Sequence, residues 1–336
     1  MTNDSPIRPA AAAALLDSKV MPTFHPDLRL TARLIPRYSF NPFLRKLTNK
    51  LSQFRGVPTP PTVEGVTIRD VTVAVGQNIE SIRVRLYSPQ RRTDAVPAIL
   101  WCHGGGFIIG TSELVERNSI YLAREVGILV AAVDYRLAPE HPFPVPLNDC
   151  YAALKWLHTE AASLGVLPDR IAVGGESAGG GLAAALTLLA HDHKSVPVAF
   201  QLLIYPMLDD RTTTRRDIDT SMLRIWSFKS NVYGWTSYLG HDPGIDGVST
   251  YAAPARREDL TGLPPAWIGI GTLDLFHDED VLYSKRLRDA GVPCQMDVVE
   301  GAYHLFDIVS PNAAVVKGFR KSYLDALRKT LFPEAG

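Results

Sequence analysis

The segment Gly175-Glu176-Ser177-Ala178-Gly179 follows a short apolar run, Ile171–Gly174, and opens an Ala/Leu-rich stretch. A serine on such a strand-to-helix turn sits in strained backbone, and the residues two places to either side must be small to avoid collision. Gly175 and Gly179 meet that need, so Ser177 is the candidate nucleophile. The helix start beneath it favours negative charge developing nearby. A second group, His103-Gly104-Gly105-Gly106-Phe107, directly follows the apolar run Ala98–Cys102. Acyl transfer passes through a tetrahedral oxyanion, and consecutive glycines can turn their N–H groups toward it without side-chain obstruction. A glycine loop alone also fits plain flexibility. The GESAG that follows gives this one a chemical reading.

A serine nucleophile needs a base, and the base needs an orienting acid. When the serine sits on such a turn, acid and base follow it in that order along the chain. His304 lies just past the run Met296–Val299, in Gly301-Ala302-Tyr303-His304-Leu305-Phe306. His241 and His277 also follow the serine, but His304 alone falls in a loop between a last strand and a last helix. Asp274 comes almost immediately after the run Ala266–Ile270 and is the candidate acid. Asp278, Glu279 and Asp280 read instead as the acidic first turn of the next helix, with Asp278 placed as its N-cap.

These residues need elements to hold them. Val66–Val75 and Ser81–Tyr87 alternate apolar and polar residues around Gly76-Gln77-Asn78, which predicts an antiparallel hairpin. Thereafter short apolar runs (Ala98–Cys102, Ile128–Val133, Ile171–Gly174, Phe200–Tyr205, Ala266–Ile270 and Met296–Val299) alternate with helical stretches. The helical stretches are Glu113–Glu125, Pro146–His158, Ala178–His191, Asp278–Ala290 and Ala313–Thr330. The expected class is therefore α/β: a mostly parallel central sheet with an antiparallel edge hairpin and helices on both faces. Two segments stand outside that rhythm. Residues 208–240, rich in aromatics from Trp226 to Tyr238, are too long for a plain loop and predict a helical insertion. The first sixty residues read as helices broken by prolines. There Phe43, Leu44, Leu47, Leu51 and Phe54 recur at helical spacing among Arg45, Lys46, Lys50 and Arg55. That helix is expected to pack on the rest of the protein, with a membrane surface as the alternative, and Gly56–Pro61 marks a boundary.

Composition narrows the classes. Lys plus Arg and Asp plus Glu are equal at 35, so the formal net charge is zero. Nucleic-acid binding needs a basic surplus, and no such partner is expected. Overall charge and the short apolar stretch Ala10–Leu16 argue against stable membrane insertion or a leader, so a cytoplasmic setting is expected. Cys102, Cys150 and Cys294 are too few and scattered for a disulfide framework and read as reduced, buried thiols. No metal-binding constellation is expected.

Taken together, His103–Phe107, GESAGG and the run Asp134-Tyr135-Arg136-Leu137-Ala138-Pro139-Glu140-His141-Pro142-Phe143-Pro144 resemble the bacterial hormone-sensitive-lipase-like esterases of the α/β-hydrolase fold. The resemblance runs from about Val66 to the C-terminus. It implies a serine carboxylesterase acting on short- to medium-chain acyl esters, with no cofactor and a small-molecule ester as partner, a homodimer being allowed. Under it Ser177 is the nucleophile, Asp274 the acid and His304 the base, while Gly105, Gly106 and Ala178 supply the oxyanion N–H groups. It also implies a helical cap built from residues 1–55 and the insertion 208–240, set on a core of 56–207 and 241–336. The chain departs from the family in carrying Glu176 where Asp is usual and Leu305 where Gly is usual. Phe107, Trp226 and Leu305 are the candidate pocket residues. Asp134, Arg136 and Glu140 are expected to form a network that fixes a turn behind the site, with Asn148 and Asp149 read the same way. Two other readings share the scaffold: a small-molecule receptor of weak activity, and an amidase using the same residues.

Overall fold

The computed structural model describes residues 23–36, 39–55, 59–76, 80–90 and 94–333. Its strands are β1 (Val66–Ala74), β2 (Ser81–Pro89), β3 (Val96–Cys102), β4 (Leu129–Val133), β5 (Val166–Glu176), β6 (Val198–Ile204), β7 (Ala266–Gly271) and β8 (Cys294–Val299). They form one sheet in the order β1-β2-β4-β3-β5-β6-β7-β8. β1 pairs with β2 and β2 with β4 antiparallel, and every later pairing is parallel. Burial explains the two sequence patterns. β3, β4 and β7 are buried almost throughout and read as unbroken apolar runs, because helices cover both faces. β1 has a half-exposed face and alternates. β5 begins earlier than its apolar run, since Pro168, Asp169 and Arg170 lie at its exposed end and leave no hydrophobic signal.

The helices are α1 (Arg29–Leu34), α2 (Pro42–Arg55), α3 (Glu116–Val126), α4 (Val145–Thr159), α5 (Ala161–Leu164), α6 (Ala178–His193), α7 (Phe228–Leu239), α8 (His277–Asp289), α9 (Phe306–Val309) and α10 (Ala314–Leu331). α6 is buried on every side from Ala178 to Ala190, which accounts for its Gly/Ala/Leu composition. The stretch 208–240 carries one helix, α7, capped by the Ser227 hydroxyl accepting from the Ser230 N–H and ended by Gly240 at φ 76°. The rest of that segment has only a short 3-10 turn, so it is less helical than its composition predicts. Ala10–Leu16, the Gln77-Asn78 turn, Gly56–Pro58 and the side chains of Leu51 and Phe54 lie outside the described residues.

α2 packs on the protein through one buried cation. Arg45 donates to both carboxylate oxygens of Glu140 at 2.7 Å each. Nearby, the Ser39 and Ser227 hydroxyls lie 2.7 Å apart, and the Phe40 N–H donates to the Ser230 hydroxyl. The motif residues do not form one mutual network, as the sequence suggested. Asp134 accepts from Arg83 and from the Ser112 N–H. Arg136 donates to Asp149, and Glu140 accepts from Arg45. Each motif charge thus ties the run to a different element. Cys102 and Cys150 are buried free thiols with sulfurs 3.6 Å apart, whereas Cys294 is only partly buried.

Asp149 is fully buried on α4 and accepts the Arg136 N–H and guanidinium, at 2.7 to 2.9 Å. Asp149→Ala leaves those donors unmatched and should cost about 3 kcal/mol, read by denaturant unfolding. A loss under about 0.5 kcal/mol, the range of surface substitutions, would show that the run is held by other contacts.

Candidate active site

The serine occupies the turn between β5 and α6. Ser177 has φ 55° and ψ −122°, a conformation forced by the abrupt change from strand to helix. Its N–H donates to the Ile204 carbonyl at 2.9 Å, and its own carbonyl accepts the Met207 N–H at 2.9 Å. A Cβ on Gly175 would strike the Gly179 carbonyl, and one on Gly179 would strike the carbonyls of Cys102 and His103. The small residues flanking the serine therefore reflect backbone packed on backbone.

Two loops at the same end of the sheet bring the candidate base and acid to the serine. β7 and β8 pair in parallel through Gly271 and Val299, so the turns that follow them are neighbours. Asp274 lies in the first turn and His304 in the second. His304 Nδ1 donates to Asp274 Oδ2 at 2.7 Å, and its Nε2 lies 3.0 Å from the Ser177 hydroxyl oxygen. The other Asp274 oxygen accepts the Phe276 N–H at 3.1 Å. The rings of Tyr205 and Phe276 meet the imidazole edge-on, at 4.9 and 5.4 Å between centroids. Ser177, Asp274 and His304 retain only 3, 6 and 2% of their surface, so the line of hydrogen bonds is shielded from water.

β3 and β5 are also neighbours, with Cys102 paired to Gly175, which sets His103–Phe107 beside the serine turn. Gly105 and Gly106 have φ of 120° and 60°. Among the described residues their N–H groups donate to no protein acceptor. Ala178 is the first residue of α6, where an N–H has no partner within the helix. His103 fixes the loop: its ring stacks on Tyr135 at 4.2 Å and its Nδ1 bonds the Gly104 carbonyl at 2.7 Å.

The three pocket candidates fall in different surroundings. Trp226 lies directly against Gly106, where a Cβ would collide with the indole, and its Nε1 donates to Asn231 at 3.3 Å. Phe107 is buried and stacks on Tyr238 of α7 at 4.0 Å. Leu305 is half-buried with φ 60° and ψ 24°, a left-handed conformation that glycine adopts without the steric cost a Cβ carries.

As the sequence predicts, Asp278, Glu279 and Asp280 lie in the first turn of α8, but Asp278 does not cap it. Phe276, not Asp278, is the N-cap of α8, and it makes no side-chain cap. Asp278 accepts from Arg215 at 2.8 Å and from His277 at 2.9 Å. Glu279 is buried and accepts the N–H groups of Leu208 and Asp209 and the Thr212 hydroxyl, pinning the start of the 208–240 segment to the helix behind the acid. Asp280 is fully buried without a partner among the described residues, and burial first, then the charges of Glu279 and Asp274, push its carboxyl well up. Only the charge of these residues, not their burial, shows in the sequence.

A second buried group lies behind the serine. The Tyr205 hydroxyl donates to Asp307 at 2.8 Å, and burial pushes the Asp307 carboxyl up. Burial first, and then the Asp307 charge, push the neighbouring Glu176 carboxyl up to about 8. Native Glu176 therefore keeps its proton to a higher pH than the unfolded chain, whose ordinary value is 4.5. Between those values the native state binds more protons, so stability falls as pH rises and the loss is complete above about 8. Glu176→Gln should flatten this slope relative to the parent in urea unfolding from pH 5 to pH 9. Parallel curves for the two proteins would mean that Glu176 is ionised throughout.

The alpha/beta hydrolase fold family profile matches residues 99–308. A Mycobacterium tuberculosis carboxylesterase, NlhH, is 36% identical over 289 residues, covering 80% of this chain and 85% of that protein. An arylesterase of Saccharolobus solfataricus is 32% identical, covering 80 and 85%. Among solved structures, a bacterial heroin esterase superimposes with a TM-score of 0.83 at 39% identity, covering 92% of this chain and 98% of that one. Esterase LipW from Mycobacterium marinum gives 0.79 at 32% identity, covering 92 and 96%. With its sheet order, its serine turn and these relatives, the chain belongs to the hormone-sensitive-lipase-like esterase family of the α/β-hydrolase fold and is a carboxylic ester hydrolase.

Proposed function

We propose that the protein hydrolyses short- to medium-chain acyl esters through an acyl-enzyme on Ser177. The observation that carries this reading is the unbroken line from Asp274 through His304 to Ser177, at 2.7 and 3.0 Å. The Ser177 hydroxyl oxygen attacks the acyl carbon as its proton passes to His304 Nε2. Asp274 holds the Nδ1–H tautomer and stabilises the imidazolium that forms. The carbonyl oxygen becomes an oxyanion, held by the N–H groups of Gly105, Gly106 and Ala178. His304 then returns the proton to the leaving alkoxide, which departs as an alcohol. Water, deprotonated by the same imidazole, attacks the acyl-enzyme, and collapse of the second tetrahedral species restores the serine and frees the acid.

In this reading the described part of residues 1–55 and the segment 208–240 form a cap over the core, residues 1–22 and 37–38 of that expected cap lying outside the described residues. The contacts of Ser39 and Phe40 with Ser227 and Ser230 support one assembly from two distant segments, and the packing of Trp226 on Gly106 supports a roof over the glycine loop. A roofed site admits short chains more readily than long ones.

Ser177→Ala should fold and lose at least about three orders of magnitude in kcat. Asp274→Asn, on the same ester near neutral pH, should lose about four orders by setting the wrong tautomer. Asp278→Asn weakens only exposed contacts with Arg215 and His277 and should change activity less than twofold and stability by under about 1 kcal/mol. An inactive Asp278→Asn beside an active Asp274→Asn would overturn the acid assignment. Rates on p-nitrophenyl esters from acetate to palmitate should peak among the short acyl chains, and equal rates on palmitate would contradict a closed cap.

A further inference from the structure

The outer faces of α1 and α2 differ from the rest of the surface. Among the described residues, the three most exposed large apolar side chains are Phe43, Leu34 and Leu30, at 76, 73 and 70%, and Leu47 adds 44%. Leu30 with Leu34 and Phe43 with Leu47 are each one helical turn apart, so each helix turns an apolar pair outward. Arg29 and Arg33 flank the first pair, and Lys46 and Lys50 flank the second, all of them exposed. From Leu28 to Val63 the sequence holds seven Lys and Arg residues and no Asp or Glu, in a chain whose total charge is balanced. The inner faces already account for the packing of these helices. Arg45 meets Glu140, Thr31 bonds Tyr303 and Ser310, and the Ala32 carbonyl accepts from Arg224. Nothing in that packing uses the outward apolar pairs.

Apolar side chains set among cations, with no acid between them, suit the boundary of an anionic bilayer. There the apolar groups enter the headgroup region while the cations meet lipid phosphates. A second copy of the chain fits less well, because a two-fold contact would set this cationic face against itself. We propose that α1 and α2 dock the protein on an anionic lipid surface, lying in its plane. Among the described residues no helix is long and apolar enough to cross a membrane.

The test uses the full chain sedimented with vesicles of phosphatidylglycerol or of phosphatidylcholine, and it is independent of the ester chemistry. Binding to phosphatidylglycerol alone, weakened by high salt, is expected. Each cation near such a surface is worth about fivefold in partitioning, so Arg33→Glu with Lys46→Glu should weaken binding at least about 25-fold. Leu34→Gln with Phe43→Gln should also release the protein, and both pairs should keep the parent's rate on a water-soluble ester. If substitutions in α2 unfold the protein, Leu30→Gln with Leu34→Gln in α1 serves instead. Absence of binding to phosphatidylglycerol, or binding that none of these variants changes, overturns the proposal. A dimer that the Gln variants dissociate, without vesicle binding, assigns the face to a second copy and overturns it as well.

Discussion

The first turn of α6 lies so close to the end of β3 that no side chain fits between them at position 179. That backbone-on-backbone contact sets the geometry of the whole site. It bends the chain through Ser177 into a strained conformation and holds the His103–Phe107 loop against the serine. The strain is tolerable because α6 is buried along nearly its full length and cannot relax without opening the core. Every side chain of the proposed site then sits at one end of the parallel strands. Ser177 follows β5, Asp274 follows β7 and His304 follows β8, while the glycine loop follows β3. Parallel strands make this convergence natural, since their carboxyl ends all open on the same crevice.

Around that crevice, charge is handled by burial and pairing. Arg45 links the N-terminal helix to the motif residue Glu140, and Glu279 links the helix behind the acid to the segment after β6. These are long-range ties between elements whose own propensities would not set their relative positions. Asp280, Asp307 and Glu176 show the opposite strategy. Burial pushes all three carboxyls up.

What the sequence reveals and conceals follows from the range of each interaction. The serine turn, the glycine loop and the turns bearing Asp274 and His304 are local patterns, each a few residues beside an apolar run, and they are legible without a structure. The sheet is legible too, because strands covered on both faces leave continuous hydrophobic runs. The polar start of β5 is invisible for the same reason. Arg45 and Glu140 stand 95 positions apart and Glu279 stands 71 from Leu208, and no local pattern announces such partners. The acids at 278–280 are legible as the first turn of α8, but the burial of Glu279 and Asp280 is not, because a helix start explains acids as well as burial does. Leu305 is a further case: the sequence shows the substitution, and only the backbone shows the left-handed conformation it occupies.

The central claim is that acyl transfer runs through Ser177 under the control of His304. Its most direct measurement is stoichiometric labelling with a fluorophosphonate, followed by peptide mapping, on the parent and on His304→Gln. One label per chain is expected, on Ser177, with activity lost in proportion to labelling and with labelling of the His304 variant slowed by orders of magnitude. A label on another residue, or full activity in the completely labelled protein, would contradict it.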